Sequence, residues 1–415
     1  MADGDDDRRK DIGARVDYWV RRRGLTRKVF ADRMGKSVSW VDKIKRGDRQ
    51  LDRLSVLEQI AGVLGVSLRT LIDPVEAAWA DGCADELEIM ELRAALQRYD
   101  GLCGEPARDT GRDLGSLRRQ VDYGWMSFQA SNYRVVTRML PNLLVRLQSL
   151  YRALDGDPRN AAAALLTQTY WLAAEVSFKF GRVELGWVAA DRGIAIAEAT
   201  GDLTLIGATT RRLVHAMMSA PDSASRQRAI TLVRATAGRL EPGIGSASPA
   251  YLSAYGMLLL KGSIAATRLG DAALSRDLQG EAATVGRLLG GDRNEHWSAF
   301  GPTNVGVHRV AALANLHEGG RVVEYAGRLT EEQLSTLPRE RRANHTIDVA
   351  RGYCQWGKRD QAVTLVLQAD ALAREEVRCR PTTRTLVMEL VRSHPRGSKP
   401  GVPLTRLARE IGIEV

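Results

Sequence analysis

Between Arg8 and Ile72 apolar residues recur at spacings of three and four, the period of helices with one buried face. Ile12, Val16, Trp19 and Val20 mark a first helix from about Arg8 to Arg23, with Gly24 as its stop. Phe30, Ala31 and Met34 stripe a second, with Thr26 as N-cap and Gly35 as the turn that follows. Ser37 caps a third, in which Val38, Val41 and Ile44 are expected to face inward. Gly47 ends it, with Lys43, Lys45 and Arg46 in the last turn complementing the helix dipole. Leu54, Leu57, Ile60, Ala61 and Leu64 stripe a fourth that stops at Gly65, and Ser67 caps a short fifth ending near Ile72 before Pro74. The second and third helices, joined by the glycine turn, make a helix-turn-helix, whose second helix can enter a DNA major groove.

From about Ser116 the texture changes to Ala- and Leu-rich helices separated by Gly, Asp and Pro, with no sustained strand alternation. A weak outline repeats in them: small residues on paired helices and a glycine at the turn between. It is carried by Ala350, Tyr353, Gly357, Ala362 and Ala369, by Ala174, Gly181, Ala190 and Gly193, by Gly262, Ala266 and Gly270, and by Ala312, Leu316 and Gly320. These are spacings of the tetratricopeptide pattern, with turns about 38 to 50 residues apart instead of the ideal 34. The chain is therefore expected to be all-α. Residues 1–7 read as a disordered acidic tail, 8–74 as a five-helix helix-turn-helix domain, and 75–115 as a connecting helix and linker. Residues 116–415 read as a right-handed superhelical, tetratricopeptide-like domain of about five or six helix pairs. The last helix, PLTRLAREIGIEV, follows the break SHPRGSKPG and either caps the stack, swaps onto a partner or is mobile.

Charge sharpens the reading of the N-terminal part. Fourteen basic and four acidic residues lie between Arg8 and Arg46, a surplus equal to the +10 of the whole 415-residue chain. That concentration points to a polyanion, because neutralising phosphates releases counterions. No apolar run approaches the roughly 18 residues that span a bilayer, and the acidic start is unlike a signal peptide. The four cysteines form no CxxC pair, which fits a reducing cytoplasm and argues against a zinc site. No GxSxG, HExxH, P-loop or strand-linked GxGxxG occurs, so neither an enzyme nor a cofactor is expected.

The run TRKVFADRMGKSVSWVDKIKRG followed by LSVLEQIAGVLGVSLRTLI resembles the XRE, or phage-repressor, type of helix-turn-helix domain over about residues 9 to 73. Ala31, Gly35, Ser37, Ile44-x-Arg46-Gly47 and Ala61-x-x-Leu64-Gly65-Val66 carry the resemblance. It implies that the start of the third helix meets base edges and the start of the second meets phosphate. Ser37, Val38, Ser39 and Trp40 then open the recognition helix, with Asp42 and Lys43 one turn on. Trp40 either packs on sugar or a thymine methyl or is structural, and Val38 is either reader or core. Arg27, Lys28, Lys36, Lys43 and Arg46 are the phosphate candidates. Arg27 and Lys45 stand where the family often has Gln and an acid; both departures add positive charge and leave the base preference open.

A helix-turn-helix followed by such repeats is similar to the peptide-responsive quorum-sensing regulators of Gram-positive bacteria. The resemblance implies a homodimer whose repeats bind a small molecule or short peptide along a groove lined by the first helix of each pair. Asn142, Tyr170, Trp171, Arg211, Tyr255, Asn304, His308 and Asn315 are the candidate ligand residues. His296 and His308 lack a third ligand at a sensible spacing, so no metal is expected. An adaptor, whose repeats recruit a partner protein without sensing a small ligand, is the alternative.

Overall fold

The computed structural model describes residues 3–49, 51, 53–66, 68–72, 86–99, 103, 113–220, 222–393 and 401–413. Among them the chain is α-helical, with a single isolated β-bridge between Arg293 and Phe300 and no strand. No described helix is long and apolar enough to cross a membrane. The helices form two compact units, Met1–Met90 with Gly401–Val415, and Glu91–Pro400.

The first unit contains α1 (Asp3–Arg22), α2 (Arg27–Arg33), α3 (Val38–Lys45), α4 (Leu54–Leu64) and α5 (Leu68–Ile72). Val16, Trp19, Phe30, Met34, Val41, Ile44, Ile60, Leu64 and Leu71 share one core. Thr26 and Ser37 cap α2 and α3, their hydroxyls accepting from the amides of Val29 and Trp40 at 3.2 Å each. Gly13 is needed where α1 crosses α3, because a Cβ there would collide with the carbonyl oxygen of Ile44.

Two boundaries differ from expectation. Helix α1 starts at Asp3, so the supposed tail over 1–7 is helical from its third residue. The C-terminal helix α22 (Val402–Glu410) belongs to the first unit and not to the repeats. Its Leu404, Leu407, Ala408 and Ile411 are buried, a stripe at helical spacing that needs a covering surface. Ser67, Pro74 and most of the expected linker lie outside the described residues; of the connecting region α6 (Glu86–Leu96) is described.

The second unit is a succession of helix hairpins: α7 (Leu114–Gln129) with α8 (Tyr133–Ala153), α9 (Gly156–Lys179) with α10 (Val183–Thr200), and α11 (Leu203–Ser219) with α12 (Ser223–Leu240). Then come α13 (Pro249–Arg268) with α14 (Ala272–Leu289) and α15 (Pro302–Asn315) with α16 (Gly319–Ala326). After the short α17 (Glu331–Ser335) come α18 (Arg339–Gln355) with α19 (Arg359–Leu372), then α20 (Arg374–Cys379) and α21 (Pro381–Arg392). A recurring turn joins the pairs. Its middle residue is left-handed, and the amide after it bonds back to a carbonyl five residues earlier, as Arg182 does to Ser177 at 2.8 Å and Lys358 to Tyr353 at 2.8 Å. Gly181, Gly270 and Gly357 supply the left-handed residue where the sequence predicts it. In the α15–α16 turn it is His317, at φ 59°, while the predicted Gly320 lies inside α16.

The first helices of the pairs pack on one another in order, α7, α9, α11, α13, α15 and α18, and α18 then packs on α7. The inner layer therefore closes into a ring. Lys179 at the end of α9 binds Glu340 of α18 at 2.9 Å and Glu376 of α20 at 2.6 Å. Glu376 also accepts from the Tyr133 hydroxyl and pairs with Arg380 at 3.0 Å. Gln129 and Asn294 exchange amide hydrogen bonds of 3.0 and 2.9 Å across another seam.

Gly181→Ala is expected to destabilise the repeat unit by about 1–2 kcal/mol, since a Cβ is unfavourable at positive φ. His317→Gly, in the same conformation, should be neutral or stabilising; urea unfolding of both variants checks the contrast.

Candidate functional site

The recognition surface is set by the short α3. Its first residue, Val38, is 40% exposed, whereas Trp40 is 6% exposed and joins the core beside Phe30 and Ile44. Two residues of a helix are about 200° apart, so presenting one turns the other inward. Of the two roles open to Trp40 the structure places it in the core, and Val38 points outward, against the expectation that it faces inward with Val41 and Ile44. Ser39 is exposed at the start of α3, and Ser37 is exposed with its hydroxyl engaged as the cap.

Among the cations, Lys28, Lys36 and Lys43 are exposed and pair with no carboxylate among the described residues. Arg27 reaches Asp42 at 3.0 Å, so these two candidates face each other and tie α2 to α3. Arg46 lies 3.2 Å from Asp48 and also donates to the Asp42 carbonyl. Other basic residues hold the fold together. Lys45 binds Asp17 at 3.2 Å, and Arg23 donates to the carbonyls of Leu64 and Gly65 while its guanidinium covers Trp19. Arg15 donates to the Leu71 carbonyl at 2.7 Å. The basic surplus is thus divided between internal ties and an exposed set around the α2–α3 turn.

The second unit carries a cavity of about 380 Å³ inside the helix ring. Each first helix contributes one face at helical spacing: Trp125 and Phe128 from α7, Glu175, Phe178 and Lys179 from α9, Arg211, His215 and Met218 from α11. From α13 come Lys261, Ile264 and Arg268, from α15 His308 and Asn315, and from α18 Glu340, Arg341, Asp348 and Arg351. Arg380 and Trp297 complete the wall.

Of the predicted ligand residues, Arg211, His308 and Asn315 line this cavity. The others do not. Trp171 is core, its indole N–H donating to Thr209 at 2.6 Å, and Tyr255 is core with its hydroxyl on Glu281. Tyr170 is buried and accepts from Gln148 at 3.0 Å. Asn304 braces the chain at Ala299, donating to its carbonyl at 2.8 Å, and offers its own oxygen to Arg341 at 3.4 Å. Asn142 lines a separate shallow depression with Pro141 and Arg98. Aromatic and amide residues on these Ala-rich helices fill the tight interhelical spaces, which explains the miss. The overlooked cavity residues had a signal of their own: a lone basic residue in an apolar run, such as Lys261 in GMLLLKGSIAA.

Glu175 organises the charges of α9 and α11. Arg211 lies at 3.4 Å, Arg212 at 3.2 Å and the His215 ring at 3.9 Å. Burial alone would raise its carboxyl, but Arg212 and Arg211 override that and hold it down to about 2. Burial, reinforced by Lys261 and Arg268, keeps His215 well below the usual imidazole range, so it is neutral. Burial also lowers His308, helped by Arg341 and opposed by its bond to the Asn304 carbonyl at 2.9 Å; Nδ1 donates there and Nε2 is left as an acceptor. The Lys261 ammonium is pushed down to about 7, chiefly by burial; Glu175 opposes the shift and Arg211 adds to it.

Trp40→Ala should cost the first unit about 3–5 kcal/mol in denaturant unfolding, while Val38→Ala should change stability by less than about 0.5 kcal/mol. Glu175 ionises near 4.5 when unfolded and near 2 when folded, so its contribution is complete above about 4.5 and is lost as pH falls towards 2. Glu175→Gln should flatten that acid limb and, by leaving two buried guanidinium groups without a counter-charge, cost about 3–5 kcal/mol at neutral pH. Thermal unfolding between those pH values reads both effects.

Comparison with known proteins gives three results. Residues 11–74 match the model of a helix-turn-helix domain. No curated protein matches the chain. Among solved structures, the chain is loosely similar to Bacillus thuringiensis PlcR, in its complex with the peptide PapR7 and DNA, at a TM-score of 0.31 and 14% identity over 68% of this chain and 96% of that one. The family match coincides with α1 to α5, and the chain carries a helix-turn-helix DNA-binding domain at its N-terminus.

Proposed function

We propose that this chain is a DNA-binding transcriptional regulator that works as a homodimer and whose helix-hairpin repeats sense a small molecule or short peptide. The observation that carries the reading is the helix-turn-helix domain with Lys28, Lys36 and Lys43 exposed around its recognition helix. Lysines so placed contact phosphate and position the helix without reading sequence. The dimer follows from size. Recognition helix α3 spans eight residues, about 12 Å, and reaches few base pairs. A second copy, at a half-site about 34 Å away, supplies the missing discrimination. Few bidentate base readers stand on α3, so spacing and DNA shape carry much of the specificity. The repeats contribute a cavity with converging polar groups, the usual form of a small-ligand site.

Arg27→Ala with Lys43→Ala is expected to weaken binding to all DNA sequences and to reduce the salt slope by about 0.9 for each phosphate that is no longer neutralised. Fluorescence anisotropy over a salt series on sites found by genome-wide binding measures it. Unchanged affinity and slope would place the interface elsewhere.

A further inference from the structure

The charges of the ring cavity do not balance. Seven basic side chains line it against three carboxylates, and those three are already engaged. Glu340 holds Lys179, Asp348 holds Arg351, and Glu175 is shared by Arg211 and Arg212. Lys261, in the middle of α13, makes no hydrogen bond and no ion pair among the described residues. Arg268, two turns further along, is exposed at the cavity's edge, donates to the Met218 carbonyl at 3.1 Å and adds its charge without being buried. Arg211 is 5% exposed, yet its Nε has no hydrogen-bond partner, and the indole N–H of Trp125 on α7 lacks one too. Donors and cations without acceptors thus converge on one space from several helices. A buried charge withdrawn from water is unfavourable until something pairs with it.

We infer that the cavity holds a small organic polyanion, a phosphate- or carboxylate-bearing molecule, with the Lys261 ammonium and the Arg211 guanidinium as its principal counter-ions. The inference rests on the sensor reading of the repeats and narrows it to one class of ligand. The volume, about 380 Å³, is at the small end of the roughly 300–1,000 Å³ typical of small-molecule sites and suits a compact metabolite better than an extended peptide. Trp125, Phe128 and Phe178 offer apolar walls for its carbon skeleton. The ring places the anion against every first helix at once, where charge-assisted bonds are stronger than ones between neutral groups.

The test is thermal unfolding of the full chain at fixed ionic strength, with three additions: cell extract, the same extract passed over an anion exchanger, and millimolar inorganic phosphate or citrate. Extract should raise the melting temperature and the depleted extract should not. A response to phosphate alone assigns a phosphoryl group, and one to citrate alone a polycarboxylate; activity confined to the anion fraction assigns a larger member of the class. Lys261→Met should raise the melting temperature of the ligand-free protein by removing an unpaired charge, yet weaken the response about tenfold to a hundredfold. Lys261→Arg should retain the response. The polyanion is excluded if Lys261→Met responds like the unaltered protein, or if the effect of the extract survives anion removal, an outcome that leaves the sensor standing. If untreated extract has no effect, the sensor reading falls and this inference with it.

Discussion

Lys179 reaches from the end of α9 to Glu340 on α18 and Glu376 on α20, and the ring of inner helices closes across that ammonium. The Tyr133 hydroxyl and Arg380 bind the same Glu376, so both carboxylates are fully engaged although nearly all of their surface is buried. Such a network contributes little net stability, because desolvating the charges offsets most of their attraction. Its effect is on register. An apolar seam tolerates sliding by a fraction of a turn, whereas a three-way charge junction is satisfied at one position and costly at all others. The cavity follows from that closure: its enclosure by six helices, the burial that drives Lys261 down, and the nearness of Arg212 and Arg211 that holds Glu175 ionised against its own burial.

What was readable in the sequence divides along the range of the interactions concerned. The helix-turn-helix is local. Caps, turn glycine and apolar stripes lie within a few residues of one another, and Thr26, Gly35, Ser37 and Gly65 all act where pattern places them. The failure inside it is equally local: in an eight-residue helix two candidate stripes compete, and the larger apolar area of Trp40 takes the interior from Val38. The hairpin turns were legible where glycine supplies the left-handed residue and hidden where Ser131 or His317 adopts that conformation. The cavity was hidden for a different reason. Lys179 and Glu376 are 197 positions apart, and nothing in either segment announces that they meet.

The two groups of basic residues differ in the physics they obey. Those around α3 are solvated, and their attraction for phosphate is long-ranged, salt-sensitive and indifferent to sequence. Most of those in the ring are partly or fully buried and sit on packed helices, so any attraction for an anion there is shorter-ranged and geometrically selective. One chain therefore carries a weakly discriminating cationic surface and a strongly discriminating cationic interior. Their chemistry also prevents cross-reaction, because a duplex cannot enter a cavity of this volume, and a small anion gains little from solvated lysines.

A sensor needs its ligand to favour one arrangement of the protein over another, since equal affinity for both shifts nothing. If the proposed anion binds, the surplus charge of the ring supplies that condition. Arg211 and Arg341 repel the Lys261 ammonium across the cavity, while the junction at Lys179 and the apolar packing hold the ring together. An anion reverses the sign of that internal term without altering the junction. Closure is then favoured by two independent interactions instead of one, and because all the first helices share the cavity wall, the change is felt by the whole repeat unit at once.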